Sequence, residues 1–261
     1  MIIVVKIGGA ALEDAPTLRK CARAVAELAQ DGHRVVVVHG GGSALTRVLK
    51  QLGKRSEFIG GLRVTDAETR DVALMVLGGM VNKKLVAAIQ CAGMPAVGFC
   101  GGDGMTFRAR RKQIRGNDVG FVGEICFAEP CWIEALWQQG GIPVLASLAL
   151  GADGEYYNVN ADEMAAACAA ACHANALIFL TDVPGVKDAE GTVIPWLSTK
   201  QAQDMVDGSI VSGGMLPKLA ACRHALKQGV DRVRILPAAE ADALPLFYHT
   251  KLNCGTEVTC A

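Results

Sequence analysis

Short apolar runs and amphipathic stretches alternate along the chain. Near-continuous apolar runs at Ile2–Ile7, Arg34–His39, Ala96–Cys100, Pro143–Ser147, Leu177–Thr181 and Arg232–Leu236 predict strands. Helical spacing between them predicts helices at Ala15–Asp31, Ser43–Gly53, Asp66–Ala92, Pro130–Gln139, Asn160–Ala174, Thr199–Val206 and Lys218–Gln228. Strands that are apolar on both faces and separated by helices predict an α/β fold, a parallel sheet covered on both sides with right-handed crossovers. Glycine-centred turns predict three hairpins: Phe58–Ile59 with Arg63–Thr65, Met105–Ala109 near Phe121–Phe127, and Leu148–Leu150 with Tyr156–Val159 around Ala152-Asp153-Gly154. No linker interrupts the pattern. The expected organisation is one domain, 1–261, with an N-terminal lobe (roughly 1–152) and a C-terminal lobe (roughly 153–261) sharing one sheet.

Composition narrows the partners. The 261 residues are 51% apolar, with 26 Lys plus Arg against 26 Asp plus Glu. Such a chain buries a large core, and its balanced charge predicts no nucleic-acid and no membrane partner. The run MAAACAAACHANALIFL is broken by His173 and Asn175, and reads as a helix followed by a strand rather than a membrane span. The ten cysteines form no CxxC pair. Cys168 and Cys172 read as buried free thiols on one helical face rather than metal ligands, and no metal site is predicted. Scattered thiols without a leader predict a cytoplasmic protein.

The chemistry gathers at glycine loops. Gly8-Gly9 follows the first strand, Gly40-Gly41-Gly42 the second, and Gly213-Gly214 precedes the last long helix. In open α/β sheets ligands bind at the carboxyl ends of strands, where bare loops and helix N-termini offer N–H groups to phosphate. Each loop alone is equally consistent with a tight turn. GxxxxGK[ST], GxGxxG and GxSxG are all absent, so a P-loop nucleotidase, a dinucleotide dehydrogenase and an α/β-hydrolase are unsupported. Lys6 sits inside an apolar strand, which is costly unless it meets an anion. Lys218 follows Pro217, which suits the first position of a helix, so Lys218 is expected in the first turn, the unfavourable end for a cation unless an anion binds there. In NVNADE, Asn160 and Glu163 have capping-box spacing, leaving Asn158 and Asp162 for another purpose. Asp162 fits either the helix dipole or the lysine ammonium groups. Arg63 has the fork that grips a carboxylate. The run FRARRKQIR, Arg108 to Arg115, reads as a solvated edge or hairpin, and His39 as a residue that hydrogen-bonds the glycine loop.

Taken in order, VVKIGGA, VVVHGGG, GGLRVTD, VNKKL, GFVGEI, GIPVLAS, NVNADEMAAA, FLTDVPGV, GGMLPK and CGT resemble the acetylglutamate kinase branch of the amino acid kinase family, over nearly the whole chain. That resemblance implies a three-layer αβα sandwich with a mostly parallel sheet of about eight strands. It implies ATP-dependent phosphorylation of the γ-carboxylate of N-acetyl-L-glutamate, the second step of arginine biosynthesis. By motif, Lys6 and Lys218 would stabilise the transferring phosphoryl group and Asp162 would orient both. Gly8, Gly9, Gly41 and Gly42 would offer backbone donors, with Arg63 and Asn158 holding the substrate. Thr181, Asp182, Val183, Gly213, Gly214 and Met215 would line the nucleotide site, with Mg²⁺ held mainly by the nucleotide phosphates.

The chain departs from that family in two ways. Gly102 precedes Asp103 where members often carry lysine. The first strand begins at Ile2, without the extra N-terminal helix of arginine-inhibited hexamers, which predicts a homodimer insensitive to arginine. Other readings stay open: a kinase of the same fold acting on glutamate, aspartate, aminoadipate, carbamate or UMP, or a non-catalytic amino-acid or nucleotide sensor.

Overall fold

The computed structural model describes residues 1–114, 117–248 and 254–260. Arg115, the end of the basic run, lies outside the described residues. In chain order the elements are β1 (Ile2–Ile7), α1 (Gly9–Glu13), α2 (Ala15–Gln30), β2 (Arg34–His39), α3 (Gly42–Gln51), β3 (Phe58–Ile59), β4 (Leu62–Arg63), α4 (Ala67–Ala73), a π-helical segment (Leu74–Val81), α5 (Asn82–Cys91) and β5 (Ala96–Cys100). Then come β6 (Phe107–Ile114), β7 (Asn117–Ala128), α6 (Cys131–Gln138), β8 (Ile142–Ala146), β9 (Leu148–Gly151), β10 (Tyr156–Val159), α7 (Ala161–Ala171) and β11 (Ala176–Thr181). The chain closes with β12 (Trp196–Ser198), α8 (Thr199–Asp207), α9 (Met215–Lys227), β13 (Arg232–Pro237), a 3₁₀ stretch (Ala238–Tyr248) and β14 (Thr256–Thr259).

Eight strands form one sheet in the order β12-β14-β13-β11-β1-β2-β8-β5. Among the described residues only β13 and β14 pair antiparallel in this sheet, so it is mostly parallel, as the apolar runs predict. β1 lies between β2 and β11, with Ile7 level with both His39 and Leu180. The chain winds away from β1 in opposite directions on its two sides. The loops after β1, β2 and β11 therefore emerge side by side at a topological switch point, the usual place for a ligand in such a sheet.

Alternation along β1 decides what each face buries. Ile3, Val5 and Ile7 join a core with α2, α3 and the long helical stretch. Val4 joins a second core with α7, α8 and α9. Lys6 follows Val4 by two residues, so it is delivered to the α7–α9 side. The expected three-layer sandwich results.

Several details differ from the sequence reading. β6, β7, β9 and β10 close into a small four-stranded barrel; the two hairpins were legible, their union was not. The basic run lies on β6 with Arg110 paired to Glu124 (2.5 Å) and Arg111 to Asp118 (2.9 Å), a solvated hairpin edge. The second strand of the first hairpin is Leu62–Arg63 rather than Arg63–Thr65, because Phe58 pairs with Arg63 while Thr65 bridges to Gly120. The helix predicted at Asp66–Ala92 is continuous over Ala67–Cys91 but takes π geometry in the middle. It is long and apolar enough to cross a bilayer, yet its Val76, Leu77, Val81 and Leu85 side lies in the sheet core.

Candidate active site

Asp162 is the centre of the arrangement. Asn160 caps α7, its side chain accepting from the N–H groups of Asp162 (2.8 Å) and Glu163 (3.2 Å). The expected reciprocal bond from Glu163 is replaced by an ion pair with Lys112. Asp162 thus occupies the first turn of α7, where the positive helix end favours a carboxylate. Its Oδ1 lies 2.8 Å from Lys6 Nζ, and its two oxygens lie 3.2 and 3.1 Å from Lys218 Nζ. All three side chains are buried. Burial pushes the Asp162 carboxyl up, but the ammonium groups of Lys6 and Lys218 prevail and hold it below the usual carboxylate range. Burial lowers Lys218 below the ordinary lysine value, the nearby Lys6 charge adds to this, and Asp162 opposes it only in part. The Lys218 ammonium also stands 5.0 Å over the Phe179 ring. Two cations on one anion leave a buried surplus of one positive charge, which suits the site to an anionic ligand.

Lys218 reaches this point from a helix that starts earlier than expected. α9 begins at Met215 with Gly214 as its cap, so Pro217 is the third helical residue rather than the first. Proline is tolerated there because first-turn N–H groups have no partner within the helix.

Two cavities meet here. One, about 450 Å³, is lined by Lys6, Gly8, Gly9, Asp162, Lys218 and the Thr181–Val183 and Gly214–Met215 segments. Gly213 does not line it but sits next to Gly214, with φ +57°. The other, about 160 Å³, is lined by Gly40–Gly42, Arg63, Asn158 and the α7 start at Asn160 and Ala161. They abut at Gly9, where an added Cβ would come 3.4 Å from Gly42 N and 3.2 Å from Ser43 Oγ. Except for Gly213, every predicted site residue therefore lines one cavity or the other.

Arg63 is buried, and its guanidinium is held by Gly42 O (3.0 Å), Thr46 Oγ1 (2.7 Å) and Ser56 Oγ, stacked 4.7 Å from the Phe58 ring. Phe58, Thr46 and Ser56 were not legible as supports, since each is unremarkable in sequence and meets Arg63 only through the hairpin and α3. Among the described residues Asn158 makes one long side-chain bond, to Thr65 Oγ1 (3.4 Å), and it lines the cavity. Ser147, at the end of β8, also lines this cavity; nothing in its sequence context singled it out. His39 is fully buried, and burial pulls its pKa down to about 4, so it is neutral and not a general base poised near pH 7. Cys168 and Cys172 are buried free thiols.

A cluster of buried cations, bare glycine loops and two abutting cavities at a switch point is the equipment of a phosphoryl-transfer enzyme. The chain matches the Amino acid kinase family over residues 1–237, and it belongs to that family. It is 62% identical over 258 residues to an acetylglutamate kinase of Acidobacterium capsulatum, covering 99% of each chain. It is 57% identical to an acetylglutamate kinase of Koribacter versatilis, covering 99% of this chain and 98% of the relative. Among solved structures, the N-acetylglutamate synthase of Neisseria gonorrhoeae complexed with coenzyme A and N-acetyl-glutamate superposes with a TM-score of 0.88 at 28% identity. That match covers all of this chain and 59% of the synthase.

Proposed function

We propose that the protein transfers the γ-phosphoryl group of ATP to the γ-carboxylate of N-acetyl-L-glutamate, yielding N-acetyl-L-glutamyl 5-phosphate and ADP in arginine biosynthesis. The observation that carries the reading is the Lys6–Asp162–Lys218 cluster lining the larger cavity, which abuts the smaller one at Gly9. Full-length similarity to acetylglutamate kinases supports the choice of substrate.

The acceptor carboxylate is ionised at neutral pH, so the reaction needs no general base. The difficulty is that an anion must approach a polyanion. A carboxylate oxygen attacks phosphorus, the bond to the bridging oxygen breaks, and its electrons leave with ADP. Lys6 and Lys218 offset charge on the phosphoryl group in flight, and Asp162 keeps both ammonium groups aimed at it. Gly8, Gly9, Gly41 and Gly42 add backbone donors. Arg63 of the N-terminal lobe and Asn158, just past the lobe boundary, hold the acetylated amino acid, while Thr181–Val183 and Gly213–Met215 form the nucleotide side of the C-terminal lobe. Asp162 is committed to the lysines, so Mg²⁺ would be held mainly by the nucleotide phosphates and would supply charge neutralisation there.

The test is an acyl-phosphate trap. With MgATP, hydroxylamine and a panel of acidic substrates, hydroxamate is expected with N-acetyl-L-glutamate. Signal only with free glutamate, aspartate or aminoadipate reassigns the substrate, and none with any of them defeats the kinase reading.

The protein works as a cytoplasmic homodimer. Its ten free thiols suit a reducing compartment. Met75 and Met80 stand exposed on the long helix beside Gly78 and Gly79, an apolar strip where a second helix can approach closely. Light scattering is expected to give twice the chain mass, and Met75→Asp with Met80→Asp to give a monomer. A monomeric wild type removes this assignment.

A further inference from the structure

The kinase reading leaves a buried polar network around His39 unused. His39 and Asn82 are both fully buried, a costly placement unless every polar atom finds a partner. His39 Nδ1 is 2.8 Å from Gly40 O, and His39 Nε2 is 3.0 Å from Asn82 Nδ2. Asn82 Nδ2 also donates to Val144 O (2.9 Å), and its Oδ1 accepts from Lys83 Nζ (3.2 Å). A carbonyl can only accept, so Nδ1 carries the ring proton and Nε2 must accept from the Asn82 amide. The two bonds fix one tautomer and one amide orientation between them. Gly98 makes room for the amide, since a Cβ there would lie 1.8 Å from Asn82 Oδ1.

The network ends on the catalytic loop. A trans peptide points its N–H away from its C=O, so whatever holds the Gly40 carbonyl also aims the Gly41 N–H. The other two carbonyls are likewise held: Gly41 O accepts from Leu45 N (2.9 Å), and Gly42 O from Arg63 Nη2 (3.0 Å) and Thr46 Oγ1 (2.8 Å). Without its hold, the Gly40–Gly41 peptide, with glycine on both sides and no other carbonyl bond among the described residues, is the one left free to flip.

The π-helical segment Leu74–Val81 brings the clamp to the loop. Beside buried Val72 and Val76, the buried residues Ala73, Leu77, Val81, Leu85 and Ile89 form one row at intervals of four. At 3.6 residues per turn such a stripe drifts about 40° per step around an α-helix. The wider π turns rotate less per residue and cancel part of that drift. The stripe therefore stays on the sheet, and Asn82 enters the core beside it. Leu77 and Val81 pack on Gly41, where an added Cβ would come 2.8 and 3.2 Å from their side chains.

We propose that the His39–Asn82 pair, delivered by the π-helical segment, is the positioning device that aims the Gly41 N–H at the phosphoryl group. It rests on the kinase reading; neither residue touches substrate. His39→Leu removes the clamp, Asn82→Ala removes its support, and His39→Asn keeps a donor at the Nδ1 position. A misplacement of about 1 Å lowers turnover on the order of 10²-fold. That loss is expected in kcat for His39→Leu and Asn82→Ala, with a raised KM for N-acetyl-L-glutamate, an unchanged KM for MgATP, and substantial recovery in His39→Asn. Long-range ¹H–¹⁵N spectra of the wild type, which need no substrate, are expected to show His39 as the neutral Nδ1–H tautomer, and Asn82→Ala to release it. If His39→Leu does not fold, Asn82→Ala and the spectra decide. Wild-type kinetics in Asn82→Ala, losses that merely follow the fraction of protein that is folded with both KM values unchanged, or an Nε2–H tautomer would each overturn the proposal. A wild type that makes no hydroxamate fails the kinase reading instead, while the spectra still test the clamp.

Discussion

Lys218→Met is expected to lower kcat by at least about 10²–10³-fold while leaving the melting temperature equal to or above that of the wild type. The two effects have one cause. Lys218 is buried, and its ammonium shares the Asp162 carboxylate with Lys6. Burial and the Lys6 charge both disfavour its protonated form. For a base whose folded pKa lies below its unfolded value, the unfolded chain binds more protons between the two values. Stability is therefore lost as pH falls through that window, and at neutral pH the charged Lys218 is a liability. Removing it leaves Lys6 and Asp162 as a one-to-one pair at 2.8 Å, and methionine keeps an apolar stem beside Phe179. The transferring phosphoryl group, however, loses a cation in a site shielded from water, where such a contact is worth about 2.7–4 kcal/mol of barrier. Hydroxamate turnover and a thermal melt on the same preparation measure both. Turnover near that of the wild type would remove Lys218 from the mechanism. A large fall in melting temperature would show that the ammonium stabilises the fold rather than burdening it.

This trade between stability and activity was half legible in the sequence. Lys6 in MIIVVKI stood out because a cation interrupts an apolar strand. Lys218 stood out for its place near a helix start. Neither residue type nor spacing says that the two share one carboxylate, because β1, α7 and α9 come together only through the strand order β13-β11-β1. The six long parallel strands could be read because each carries a run of β-branched and other apolar residues, which in β13 is confined to Val233, Ile235 and Leu236. β12 and β14 escaped because short strands such as Trp196–Ser198 and Thr256–Thr259 carry too few residues for a pattern. The barrel escaped for another reason: its parallel β6–β9 and β7–β10 pairings join segments far apart in sequence, and local turn signals report only the hairpins. The π geometry left no period to read, because LMVLGGMV is apolar or glycine at every position.

Asp162→Asn is expected to reverse the pattern seen with Lys218, losing both stability and activity. Asparagine keeps the shape but not the charge, so two buried ammonium groups lose their shared counter-ion. Breaking a buried pair by removing one partner costs about 3–5 kcal/mol, which in a chain of this size is a fall of roughly 6–20 °C in melting temperature, at about 2–4 °C per kcal/mol. The wild-type contribution has a defined pH range. The folded Asp162 pKa lies below its unfolded value, so the stabilisation is present above ordinary carboxylate pKa values and is lost as pH falls through the folded one. The variant should accordingly differ most from the wild type near neutrality and least in acid. A surplus of positive charge also makes the defect repairable from outside. Tripolyphosphate should raise the melting temperature of Asp162→Asn by more than it raises that of the wild type, because it replaces a missing anion rather than meeting one surplus charge. Turnover should stay low even so, since a bound polyanion does not hold the two ammonium groups in line with the acceptor. Adding Lys218→Met to Asp162→Asn should recover part of the stability and none of the kcat, a coupling that neighbouring charges in one network produce and independent sites do not. A variant as stable as the wild type, with no added response to tripolyphosphate, would mean that Asp162 is not the common counter-ion. The assignment of the two lysines to one phosphoryl group would then lose its structural basis.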